Sequence, residues 1–189
     1  MARPLSEEKR DAILKAATEL VAEIGTGAAT AQIAKRAGVA DGTLFTYFPT
    51  KNDLLNQLYL EIKASLAEAV MASYPAQGGV FERARHLWDR LIDWGASYPE
   101  RQKAMRKLAV SDRVTQATRE EVSAAFLDVN AMIRESIGPG SKTDGSAAFV
   151  GALIEAMSDV TLSFIASDPD KAETYKELGF QTFWNGVMR

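Results

Sequence analysis

Cysteine is absent from this 189-residue chain, which excludes a disulfide framework, a thiolate nucleophile and a cysteine zinc site. Histidine occurs once, at His86. The opening MARPLSEEKR lacks the apolar core of a secretory leader, and no apolar run reads as approaching the length of a membrane span. A cytoplasmic location without a membrane partner is therefore expected. Nor is there a global cationic field to gather nucleic acid, because the formal net charge is −3. That deficit lies beyond residue 55, residues 1–55 being neutral. What remains is ordinary globular composition, 47% hydrophobic and 25% charged, which argues against wholesale disorder.

Strand-like alternation and internal repeats are also missing, so the chain reads as all-α. Ser6 is placed as an N-cap, with Glu7 and Glu8 in the first turn where the helix dipole favours acids. Ile13, Ala17, Leu20, Val21 and Ile24 then form an amphipathic stripe that Gly25 and Gly27 end. Two short helices follow, near 31–37 and 41–48. Thr50 and Asp53 have the spacing of a capping box, and Leu54, Leu58, Ile62 and Leu66 recur at +4 in the long helix it opens. Further helices are expected from about 80 to 98 and on to about 110. Another is expected near the Thr118–Glu121 capping box, carrying Val122, Phe126, Val129, Ile133 and Ile137. A loop is expected at 138–145, and final helices near 146–167 and 170–187.

The pair of short helices carries the chemistry. A helix-turn-helix needs a first helix, a sharp turn, and a second helix whose outer face stays free. Ile33, Ala34 and Ala37 can face inward, and Gly38 suits a position with positive φ. Val39 can fill the angle, while Leu44 and Phe48 at +4 anchor the second helix. That leaves Ala40, Asp41, Gly42, Thr43, Thr46 and Tyr47 outside, a small and mostly polar set. Such a face can lie close to a groove wall and offer hydroxyls to phosphates or base edges. Lys51 adds to this: a cation in the first turn opposes the helix dipole by roughly 0.3–1 kcal/mol, which an external phosphate would offset.

The stretch TAQIAKRAGVADGTLFTYFPTKNDLL (30–55) resembles the DNA-binding segment of the TetR-type transcriptional regulators. The pattern is met at Thr30, Ile33-Ala34, Ala37-Gly38-Val39, Gly42-Thr43-Leu44, Phe45, Tyr47-Phe48, Lys51 and Leu54. It covers about the first 60 residues. The resemblance implies that Thr30, Thr43, Tyr47 and Lys51 contact phosphates and that residues 40–46 meet bases in the major groove. Three departures stand out. Ala40 replaces a frequent serine cap; Asp41, an acid at that position, either caps the helix or accepts from a cytosine amino group; Phe45 replaces a common tyrosine.

The resemblance further implies a DNA-binding domain at 1–52 and an effector-binding and dimerisation domain at 53–189. The implied function is that of a ligand-responsive repressor, binding a palindromic double-stranded operator as a homodimer and released by a small-molecule effector. Apolar helix 146–167 and the final helix, with Tyr175, Leu178, Phe180, Phe183 and Trp184, read as the dimer interface. Gly151 is explained there by close packing. Trp88, Trp94, Met105, Phe126 and Phe149 are candidate effector contacts, which would favour an apolar or aromatic ligand. His86 with Glu155 and Asp159 is the one conceivable metal set, but a lone histidine is more often hydrogen-bonded surface. No metal or cofactor is therefore expected. An enzyme would have to rely on carboxylates such as Glu155 and Asp159, so none is expected either. The competing reading is a helical ligand-binding protein that no longer binds DNA.

Overall fold

The computed structural model of the chain describes residues 6–127, 131 and 147–188. Among them there is no strand. The helices are α1 (Glu7–Ile24), α2 (Thr30–Arg36), α3 (Asp41–Tyr47), α4 (Lys51–Met71), α5 (Val80–Ser97), α6 (Pro99–Ala109), α7 (Gln116–Ala125), α8 (Ala147–Ser167) and α9 (Ala172–Phe183). A 3₁₀ turn, Pro169–Lys171, precedes α9, and a π-helical turn, Trp184–Met188, follows it. The loop expected at 138–145 and the positions Val129, Ile133 and Ile137 lie outside the described residues.

The helices fall into two compact units. The first holds the residues up to Ser65 together with Tyr98–Ser123, and the second holds Leu66–Ser97 with the residues from Ala124 onward. Thus α6 and most of α7 group with the helix-turn-helix rather than with the other late helices.

In the first unit α1 packs on α2 and α6, and α2 on α3. Ile13, Ala17, Leu20 and Val21 are buried as their spacing predicts, but Ile24 at the end of the stripe is 57% exposed. The helix has already ended beside it. Gly25, at φ 84°, donates to the Val21 carbonyl at 2.9 Å. Lys107 Nζ then donates to the Ala22 and Glu23 carbonyls at 2.8 and 3.1 Å, satisfying acceptors that a helix end leaves open. Ser6 occupies the N-cap position of α1, but its side chain makes no cap hydrogen bond.

The Thr50–Asp53 box forms as expected. Thr50 N donates to Asp53 Oδ2 at 3.0 Å and Asp53 N to Thr50 Oγ1 at 3.1 Å. The second expected box does not form at Thr118. Helix α7 begins at Gln116, and its start is closed by Thr115 Oγ1, which accepts from Thr118 N at 3.2 Å. Thr118 itself is buried inside the first turn. A hydroxyl three residues upstream takes the backbone donor of Thr118, and Val114 just before it is buried.

The second unit is built around Trp88 on α5, which is buried, stacked on Phe183 at 6.1 Å, and donates from Nε1 to the Lys176 carbonyl at 2.9 Å. Close approach of α9 requires Gly179: a Cβ there would lie 2.5 Å from Thr161 Oγ1 and 2.6 Å from the Trp88 ring. Because Trp88 is pinned by its hydrogen bond, it cannot retreat. Gly179→Ala is expected to lower unfolding stability by about 1–3 kcal/mol despite the better helix propensity of alanine, which urea denaturation would measure. Arg85 spans the same face, paired with Asp89 at 2.9 Å and with Glu177, its guanidinium 4.8 Å over the Phe180 ring.

Helix α8 corrects one sequence expectation. The segment Phe149–Ser167 is long and apolar enough to cross a membrane by length and composition. Its packing is unusual. The buried side includes Ser158 and Thr161, whose hydroxyls donate to their own helix at the Glu155 and Met157 carbonyls. Phe149, Val160 and Phe164, by contrast, are exposed. A Cβ at Gly151 would meet no atom within 4 Å, so packing within the subunit does not account for that glycine.

Candidate nucleic-acid interface

The turn between α2 and α3 is a Schellman closure. Val39 N donates to the Ala34 carbonyl at 3.0 Å and Gly38 N to the Lys35 carbonyl at 3.2 Å, with Gly38 at φ 70°. A side chain at that φ is strained, so glycine is required by the backbone itself. Ile33 and Ala34 hold α2 to the unit, and Leu44 and Phe48 hold α3, all four being buried. The chain thereby turns one face of α3 outward.

On that face Ala40, Asp41, Gly42 and Thr46 are exposed, and Thr43 and Tyr47 are half-buried. Ala40 is the N-cap residue and no side chain caps the helix, so Asp41 stands in the first turn with its carboxylate uncommitted to capping. The capping alternative for Asp41 is thus removed. Thr46 Oγ1 donates to the Gly42 carbonyl at 3.1 Å, keeping its lone pairs outward. Gly42 meets no atom at the Cβ position and has no positive φ. The fold makes no demand for glycine there.

Tyr47 Oη accepts from Ser6 N at 2.9 Å, linking the end of α3 to the start of α1 and leaving the phenolic proton to donate elsewhere. Thr30 is the first residue of α2 and half-buried. Lys51 is the first residue of α4, and burial, followed by the Arg113 charge, holds its ammonium below the usual lysine range. Two outward residues lie beyond the set whose spacing predicted an outward position. Phe45 is 41% exposed between Leu44 and Thr46, and Arg113 arrives from the α6–α7 connector. For Phe45 the helical period alone was a sufficient signal; for Arg113 there was none.

The candidate effector residues are dispersed. Trp88 and Trp94 are buried in the second unit, Phe126 is half-buried there, and Phe149 is 55% exposed. Met105 is buried in the first unit, on α6. His86 Nε2 sits 3.0 Å from the Val70 carbonyl with its ring edge-on to Tyr74. Among the described residues no group of three metal-ligating side chains occurs.

The described residues are all helical and open with this motif, its second helix turned outward, which is a helix-turn-helix architecture. The family of bacterial regulatory proteins named tetR matches residues 13–58. Over that segment the chain is similar to the N-terminal part of tetR family regulators. It is similar to the HTH-type transcriptional regulator BetI of Escherichia coli, 36% identical over 88 residues, which are 45% of this chain and 45% of the relative. The chain spans about half the length of the curated relatives it matches. Among solved structures it resembles a tetR family transcription regulator from Shewanella sp. PV-4, with TM-score 0.81 and 27% identity, covering 96% of this chain and 98% of that one. It also shares the fold of the regulator FadR from Bacillus subtilis in complex with stearoyl-CoA, with TM-score 0.71, 20% identity and coverage of 94% and 99%.

Proposed function

We propose that the protein is a ligand-responsive repressor that binds a palindromic operator as a homodimer. The observation that carries this reading is the outward face of α3, where Ala40, Asp41, Gly42, Thr43 and Thr46 form a low, polar surface that the fold does not need for itself. Residues 40–46 read base edges; Thr30, Thr43, Tyr47 and Lys51 hold phosphates. Asp41, not being a cap, accepts from a cytosine amino group, and Phe45 packs against a thymine methyl. Operator reading is assigned to residues 1–52, and effector binding and dimerisation to 53–189.

Dimerisation through α8 and α9 accounts for the apolar residues that α8 exposes and for Leu178 on α9, which is 59% exposed. Two recognition helices joined this way would meet half-sites about one helical turn apart. The effector is an apolar or aromatic small molecule. It needs to favour the non-binding conformer by only about 1–3 kcal/mol of coupling. That a protein of this fold was solved with stearoyl-CoA supports an apolar effector.

The test is fluorescence anisotropy on DNA enriched from a random pool, read at several salt concentrations. Saturable, salt-sensitive binding to a sequence with two half-sites is the expected result. Enrichment of no sequence would favour the helical ligand-binding protein without DNA recognition. Tyr47→Phe sharpens the test. Losing a neutral hydroxyl to phosphate and the acceptor for Ser6 N, it should weaken operator binding by about tenfold, on the order of one hydrogen bond. The slope against salt should stay unchanged, since no cation is removed.

A further inference from the structure

Beyond the helix-turn-helix, the α6–α7 connector brings Arg113 against the first turn of α4. Its backbone is fixed there on both sides. Asn56 Nδ2 donates to the Arg113 carbonyl at 2.9 Å, Thr115 N donates to Asn56 Oδ1 at 2.9 Å, and Arg113 N donates to Ser111 Oγ at 3.2 Å. Arg119 braces the connector from behind, donating to the Ala109 and Ser111 carbonyls at 2.6 and 2.8 Å. The guanidinium is then aimed by Asn52, whose Oδ1 accepts from Arg113 Nη1 at 3.1 Å.

This construction sets the Arg113 guanidinium on Asn52, the neighbour of Lys51 in the first turn of α4. Burial first, and then the Arg113 charge, hold the Lys51 ammonium below the usual lysine range. Neither forms an ion pair with a carboxylate among the described residues. The nearest acid on α4, Asp53, has its Oδ2 committed to Thr50 N and Thr50 Oγ1 at 3.0 and 2.8 Å. A strap that brings an exposed arginine to the turn carrying a half-buried lysine, with neither cation paired to a carboxylate among the described residues, is electrostatically unfavourable. A phosphate reverses the sign of both interactions, and a guanidinium retains donors for its oxygens after the bond to Asn52.

We propose that Arg113 is a DNA-phosphate ligand acting beside Lys51, so that the operator backbone is gripped by the α6–α7 connector as well as by the helix-turn-helix. This rests on the operator-binding reading above. The contact is to backbone, so it positions the subunit and adds affinity without base preference.

The experiment uses the full chain on its enriched operator, with the logarithmic salt slope of the association constant as readout. Arg113→Gln keeps an amide that can reach Asn52 but removes the charge. The slope should fall in magnitude by about 0.9 per subunit, about 1.8 for a dimer, with the order of preference among operator variants unchanged. Arg113→Lys should restore the wild-type slope, which separates charge from structural damage. Asn52→Ala removes the tether and leaves both cations, so its slope should stay at the wild-type value. A wild-type slope in Arg113→Gln, with operator binding intact, overturns the Arg113 assignment alone. If the wild-type chain selects no operator at any salt concentration, the operator-binding reading fails first and this one with it.

Discussion

Glutamate placed at both Phe164 and Leu178 should yield a folded monomer, with the dimer dissociation constant raised by on the order of a thousandfold or more. The two side chains are 53% and 59% exposed, on α8 and α9, so neither substitution opens a cavity within the subunit. In an isologous pair each glutamate would face the partner's equivalent surface and be buried without a counter-charge, which costs about 3–5 kcal/mol for an uncompensated ion. Phe164 also meets the Tyr175 ring at 5.3 Å, a contact whose loss adds at most a modest destabilisation. Sedimentation would read the oligomeric state, and circular dichroism would check that helicity survives. Operator binding should fall with the dimer, because one recognition helix reads only one half-site. If the double variant stays dimeric, the interface lies elsewhere on the chain.

This expectation was half legible in the sequence. The composition of the segment 146–167 announced a helix apolar on most sides, but not which side faces outward. Composition averages over the faces. In the fold, Ser158 and Thr161 turn inward because their hydroxyls can be satisfied by carbonyls of their own helix, while Phe149, Val160 and Phe164 are left outside. That the segment has the length and apolarity of a membrane span, by contrast, is itself a property of its composition.

Features encoded within a few residues were read correctly. Gly38 adopts the positive φ its position demands, Leu44 and Phe48 are buried at +4, and the Thr50–Asp53 box closes on itself. Features that depend on a distant partner were not. Lys107 caps α1 across 84 or more positions of sequence, and Arg113 reaches Asn52 across 61. The start of α7 is a third case: Thr115 and Thr118 both have hydroxyls able to cap, local propensity does not choose between them, and in the fold Thr115 caps while Thr118 is buried.

Gly42→Ala should make the protein more stable and a poorer operator binder at once. Gly42 lies within α3, its φ is not positive, and a Cβ would meet nothing within 4 Å. Replacing glycine by alanine in such a helix position gains about 0.5–1 kcal/mol, since the unfolded chain loses conformational freedom and the helix gains a better former. On the DNA the sign reverses. The added methyl would project from the proposed recognition face, where a groove wall would approach to hydrogen-bonding distance, and overpacking of this kind costs about 1–3 kcal/mol. Gly42→Leu enlarges the clash and should abolish sequence-specific binding while keeping the fold. Thermal unfolding and operator anisotropy on the same preparations would read both quantities. A variant that gains stability and keeps full operator affinity would mean that no surface approaches Gly42, and the outward face of α3 would then have to serve something other than the major groove. Opposite signs would instead assign the glycine to the DNA, because the folded subunit has no use for it.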